Sequence, residues 1–326
     1  MKNHILYISW KPSVARTYAK HLGVESHDEF VCVGDRIITY LPQFSLYIGY
    51  PALELQQSKK MRDAIRTEEL YLPELDVNLS DKMGGEQMRL IFKLIEKYDI
   101  KEVVLIAEKD LGVLWHEELI KRYLAPKDIV VNHILLVDEN ADSFELCDYE
   151  DFINLIEAGE AYDMVRKIMD VQLSKMIKMH YNHDYKNSAT LLIGLGEAFL
   201  LNKTAELDGE KNNVGRIILL AKTLDPCIRR NGYSNKWFDV SAGFCLNVIE
   251  QDLHLIESNQ NDASFSLTSA GVRINKIVEN YAQKVIDAQT YTYWLNRIDD
   301  IADGRDTKEN VIDEAIEFAK ENFLMR

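Results

Sequence analysis

The apolar run Val103-Val104-Leu105-Ile106-Ala107 constrains this chain more than any other feature. It is followed by an amphipathic stretch over residues 114–124 and a second apolar run over 129–137. Strand, helix and strand in that order imply parallel pairing with a right-handed crossover. Ahead of this unit, residues 5–9 read as a strand, Ser13 is placed to cap the helix VARTYAKHL, and Gly23 to stop it. Residues 30–33 and 36–40 flank a Gly34-Asp35 turn signal and read as a hairpin. A polar, charged stretch covers 56–83, after which Gly84-Gly85 is expected to precede a helix over 87–97.

From Tyr149 onward the pattern turns helical. EAYDMVRKIMDVQLSKMIKMHY carries apolar residues at helical spacing, and VGRIILLAKTLDPCIRRN reads as a helix stopped near Asn231-Gly232. Residues 237–248 read as one strand or a bent pair, and two or three helices close the chain between about 269 and 323. The expected fold class is therefore α/β plus mainly α. A parallel-sheet domain is expected over 1–148 and a helical domain over 149–326, with a short β segment near 237–266.

With 326 residues, 47% of them hydrophobic, the chain is long enough for two or three packed units. Cys32, Cys147, Cys227 and Cys245 are scattered with no CxxC pair, which suggests neither a disulfide framework nor a zinc ribbon. No apolar run approaches the roughly 20 residues needed to span a bilayer, so the expectation is a soluble, cytoplasmic protein with no membrane partner. The formal charge of -15 opposes broad contact with a phosphate backbone, because such contact relies on clustered Lys and Arg.

Several short motifs, in order, carry a family resemblance. LYISWKPSVARTYAKHLG resembles the first strand and helix of type IA DNA topoisomerases, with their Ala-Glu-Lys-Pro-Ser and Ala-Arg pattern. VVLIAEKDLGVLWHEELIKRYL resembles the second Toprim strand and its helix, where the family has Asp-x-Asp-Arg-Glu-Gly. VQLSKMI resembles the Asn-Leu-Ser-Arg segment, and NNVGRIILLAKTLDPCIRR with WFDVSAGF the Gly-Arg-Val-Gln-Thr-Pro helix and its following strand. LTSAGVRINKIVEN and YTYWLNRIDDIADG are similar to the family's later Thr-x-x-Gly and Leu-x-x-Ile-Ala-x-Gly segments. The resemblance implies a Toprim-like, Rossmann-type domain followed by a helical region like the family's domain IV.

The same alignment implies the loss of strand cleavage. Trp10 stands where the family has its first glutamate, and an indole neither binds magnesium nor shuttles a proton. Anchoring on Gly112 puts Ala107, Lys109 and Leu111 on the two aspartates and the glutamate. A slipped register puts Glu108 and Asp110 on the aspartates instead, as weak metal candidates with one acid still missing. Between the WFDVSAGF and Thr-x-x-Gly segments only residues 244–267 remain, with no tyrosine, where the family inserts the domain bearing its nucleophile. Tyr281, Tyr291 and Tyr293 sit in helical patterns and read as core or surface packing, as do His116 and His133.

These losses imply a catalytically inactive topoisomerase-like protein that acts by binding, with a protein partner in DNA topology, replication, repair or transfer. An alternative is residual single-stranded DNA binding through Lys11, Arg16, Lys175 and Arg216, near aromatic surfaces such as Trp10 and Tyr40. A third reading is a Toprim-type metal-dependent nuclease using Glu108 and Asp110, with Asp138 or Glu139 at the next strand end. No cofactor is expected outside that last reading, which would need magnesium.

Overall fold

The computed structural model describes residues 4–43, 45–48, 70, 72, 76–138, 143–181, 193–224, 245–259 and 261–323. They divide into two compact units: residues up to 48 together with 76–159, and the remaining described residues. The division falls inside one long helix.

The first unit opens with β1 (Ile5–Ser9), α1 (Pro12–His21), β2 (Val31–Val33) and β3 (Arg36–Tyr40). There follow β4 (Leu46–Ile48), β5 (Val77–Leu79), α2 (Asp81–Tyr98), β6 (Glu102–Ala107) and α3 (Leu111–Leu124). β7 (Val130–Val137) and β8 (Phe144–Asp148) complete it. The main sheet has the order β2-β3-β1-β6-β7-β8, and β3, β1, β6 and β7 run parallel. β2 and β8 are antiparallel edges, and β4 pairs with β5 in a separate antiparallel ribbon. Leu6, Ile8, Ile37, Val103, Leu105 and Ile106 are wholly buried, which is why these strands are continuously apolar rather than alternating. β8 was not legible beforehand: FELCD is a polar-rich edge strand with Glu145 and Leu146 exposed.

Three expectations about helix starts are corrected. α1 begins at Pro12 rather than after Ser13, with Lys11 at its N-cap and no side-chain cap. Proline suits that position because its fixed φ is helical and its missing N–H has no partner there anyway. α3 begins at Leu111, not Leu114, because Asp110 caps it. Gly84 and Gly85 lie within α2 instead of preceding it. Their absence of side chain serves packing: a Cβ on Gly84 would lie 2.3 Å from the Ser45 Cβ. The helix ends at Asp99, whose left-handed backbone (φ 48) closes the last turn.

The second unit is built from α4 (Ile153–His180), whose later residues belong to it, α5 (Leu195–Glu206) and α6 (Asn213–Leu224). A hairpin of β9 (Ile256–Asn259) and β10 (Ser264–Leu267) follows, then α7 (Ser269–Tyr281), α8 (Ala288–Ala302) and α9 (Lys308–Phe323). Wholly buried Asn213 ties the start of α6 to β10, accepting from the Phe265 N–H and donating to the Phe265 and Leu207 carbonyls. Thr268 caps α7 by accepting from the Gly271 N–H at 3.1 Å. Gly271 itself sits so close to the chain before it that a Cβ would lie 2.0 Å from the Leu255 carbonyl oxygen.

The strand expected over 237–248 is corrected where it is described. Residues 237–244 lie outside the described residues, while 245–247 are helical and lead into a π-helical turn at Val248–Asp252. Cys245, Leu246 and Ile249 are buried, a helical spacing that a short apolar string does not distinguish from a strand. The β segment comes later, at 256–267. Among the described residues no helix is long and apolar enough to cross a membrane.

Candidate functional site

In an open parallel sheet, ligands enter outside the carboxyl ends of the strands, where the strand order reverses. Here the chain runs from β1 to β3 on one side and later to β6 on the other, so the reversal falls between β1 and β6. Ser9 pairs with Ile106, which puts Trp10 and Ala107 side by side as the chain leaves the sheet. Both are buried, Trp10 at 4% exposure and Ala107 at 0%. The turn is pinned by its backbone: the Ser9 hydroxyl donates to the Lys11 carbonyl at 2.7 Å, and the Trp10 carbonyl accepts from the Gln43 N–H at 3.1 Å.

Lys11 leaves this corner half-exposed. Its Nζ lies 3.6 Å from Glu108 Oε1 and 5.1 Å from the Trp10 ring centroid, so it spans both an acid and an aromatic face. Asp110 is buried, and its Oδ1 accepts from the Gly112 and Val113 N–H groups at 3.0 Å each. A carboxylate at a helix N-terminus is favoured both by those donors and by the helix dipole. Lys109 between the two acids is exposed and Leu111 is buried. Glu108 and Asp110 thus have separate partners, one a cation and the other the start of α3.

Arg16 is exposed on α1, beside a shallow surface depression that Asp28, Glu29 and Tyr40 also line. At the end of β7, Asp138 Oδ1 accepts from the Ser143 N–H at 3.4 Å, and Glu139 lies outside the described residues. Lys175 and Arg216 belong to the other unit. Lys175 is buried on α4 at 5% exposure, while Arg216 is exposed and paired with Glu210. Among the described residues no group of three or more His, Cys, Asp or Glu side chains is set to hold a metal.

The histidines and tyrosines take varied places. His133 sits on β7 between Glu102 and Asp148, at 3.5 and 3.6 Å. Tyr281 stacks on His180 with ring centroids 3.8 Å apart, and Tyr293 donates to Glu314. His116 is buried in α3 beside fully buried Glu117, Nδ1 to Oε1 3.9 Å, and none of the four polar atoms has a hydrogen-bond partner among the described residues. Loss of hydration pushes the Glu117 carboxyl up to about 6, against a smaller opposing pull from His116. The next residue, Glu118, accepts from the Tyr149 hydroxyl, whose own ionisation is pushed up by burial and by that carboxylate. Sequence reasoning named His116 as packing or surface but missed buried Glu117 and half-buried Glu118 beside it, although two acids and a histidine inside Leu-Trp-His-Glu-Glu-Leu-Ile, a helix with few polar positions, were a usable signal.

Compared with models of known protein families and with curated protein sequences, the chain matches none.

Proposed function

We propose that this protein is a catalytically inactive, type IA topoisomerase-like protein that works by binding, and that its partner is a protein of DNA topology, replication, repair or transfer. The observation that carries this reading is the corner between β1 and β6. A buried indole and a buried methyl group fill it, and its acids hold Lys11 and cap α3. Phosphoryl transfer needs carboxylates that position a metal or a proton at the reacting oxygens, and Asp110 turned into a helix start is poorly disposed for either. The charge of -15 supports a basic protein partner over a nucleic acid, since complementary fields speed and select encounters.

The competing reading, single-stranded DNA in a groove lined by Lys11, Arg16, Lys175 and Arg216, is weakened by two placements. Trp10 at 4% exposure offers no free face for a base to stack on, and Lys175 is buried. A salt titration with labelled single-stranded DNA, comparing the wild type with the Lys11→Ala/Arg216→Ala double variant, separates the readings. The expected result is no saturable binding even at low salt. Tight binding with a steep salt slope that the double variant loses would replace the proposal with the DNA-binding reading. Magnesium-dependent cleavage abolished by Glu108→Ala would replace it with the nuclease reading.

A further inference from the structure

The main sheet of the first unit has two edges, and they differ. β2 is three residues long, whereas β8 runs for five, and among the described residues no strand pairs with its outer side. Its register with β7 continues without a shift from Val137 opposite Phe144 to His133 opposite Asp148. One residue beyond, the Asp138 N–H donates to the Ser143 carbonyl at 3.4 Å, which marks 138 and 143 as a hydrogen-bonded pair. Bonded and non-bonded pairs alternate along an antiparallel ladder, so the N–H and C=O groups of Phe144 and Leu146 point away from β7. These groups have no hydrogen-bond partner among the described residues.

Sheet edges are ordinarily blunted by lysine, proline, a bulge or a covering element, because an open edge templates another strand. β8, with the sequence FELCD, has neither lysine nor proline, and its pairing with β7 has no bulge. Its middle residue, Leu146, is 57% exposed. Phe144 lies on the same face of the strand and packs against Tyr18 and His21 of α1, with ring centroids 5.0 and 5.2 Å apart. An apolar side chain laid beside Leu146 would extend that layer by one strand.

Charge selects the occupant. Seven of the fourteen residues 138–151 are Asp or Glu, and none is Lys or Arg. Glu145 and Asp148 are exposed on opposite faces of β8, and Glu150 and Asp151 are exposed just beyond it. Cys147 feels the combined field: burial raises its thiol first, and Glu145, Asp151 and Asp148 raise it further. A second copy of β8 would set these acids against themselves, and like charges across paired strands are unfavourable. A strand carrying bases meets no such penalty.

We propose that β8 is a docking edge for an extended, basic segment of a partner protein, which adds as an antiparallel strand with an apolar residue opposite Leu146 and lysine or arginine opposite Glu145 and Asp148. This deepens the binding reading above and rests on it for the existence of a protein partner.

The probe is the peptide acetyl-Lys-Thr-Val-Lys-Ile-amide, whose residues would lie opposite Asp148, Cys147, Leu146, Glu145 and Phe144 in that order. Binding to the full chain is followed through the ¹⁵N amide resonances of Phe144 and Leu146. The peptide is expected to move both saturably, with a Kd at or below about 1 mM, and to slow their exchange with solvent. Methylating its valine and isoleucine nitrogens keeps every charge but removes the donors that would face β8, and should weaken binding at least about 10-fold. The acidic counterpart, acetyl-Glu-Thr-Val-Glu-Ile-amide, should not bind. Glu145→Lys, at an exposed position, should weaken the basic peptide roughly 5-fold or more without changing the unfolding temperature. Absence of a saturable shift at Phe144 and Leu146, or equal binding of the methylated and parent peptides, overturns the proposal. Unaltered binding in a folded Glu145→Lys variant overturns the assignment of a basic occupant. The residues varied in the salt titration lie off β8, so failure of this edge and failure of the binding reading are told apart.

Discussion

Removing the charge of Glu117 should abolish a pH dependence that the wild-type protein carries. The carboxyl is wholly buried in α3, lacks a hydrogen-bond partner among the described residues, and titrates at about 6 instead of 4.5. A raised acid means that the folded state holds its proton over a range where the unfolded chain has released it. Stability is therefore unaffected well below pH 4.5 and falls as pH rises toward and through 6, reaching a full loss above it. The shift corresponds to a loss of about 2 kcal/mol at neutral pH, from roughly 1.4 kcal/mol per unit. Glu117→Gln keeps the shape and removes the ionisation. Urea unfolding followed by the fluorescence of the first unit, at pH 4.5 and pH 7.5, should show the variant gaining on the wild type by most of that amount between the two conditions. Comparing the two proteins cancels the titration of groups distant from Glu117, and repeating the comparison in a His116→Gln background removes the one titratable side chain paired with it. A stability difference that stays constant over this range would refute the reasoning, because it would mean that the carboxyl titrates in the folded state as it does in the unfolded one.

Two further predictions rest on local geometry. Asp110→Ala removes both acceptor contacts at the start of α3 and should cost about 1 kcal/mol, read from urea midpoints, with amide exchange accelerated first at Gly112 and Val113. The glycines of the second unit should split by environment: Gly271→Ala, whose Cβ would meet the Leu255 carbonyl, should destabilise by roughly 2 kcal/mol or more, while Gly215→Ala, exposed on α6 with open space around it, should stabilise by up to about 1 kcal/mol. Thermal unfolding of the two single variants decides this, and equal effects of one sign would refute it.

The parallel core of the first unit was legible because its strands are short apolar runs separated by amphipathic helices, a pattern that local sequence carries in full. What was misread depended on neighbours. Gly84 and Gly85 look like the approach to a helix in isolation, yet both are helical, and the smallness of Gly84 accommodates Ser45, some forty positions away. The CLNVI string after residue 244 fits either period, and its burial on one helical stripe is settled by tertiary packing. Glu108 and Asp110 were visible as a pair of acids, but the sequence did not say that one would pair with Lys11 and the other would begin a helix. The small cavity between α4, the start of α5 and α8 was not legible at all, because its walls come from residues near 165, 195, 245 and 295, which only the folded chain gathers.

The burial of Trp10 also gives the molecule a direction in sequence space. A glutamate substituted there would not stand at the open mouth of a crevice; it would inherit a site with almost no access to water, beside the Ala107 methyl and beneath the Lys11 chain. An acid placed there would thus enter as a buried charge with almost no hydration and only the Lys11 ammonium near it. Selection can reshape the outer surfaces of the molecule one residue at a time, while any route to an acidic centre between β1 and β6 passes through less stable proteins.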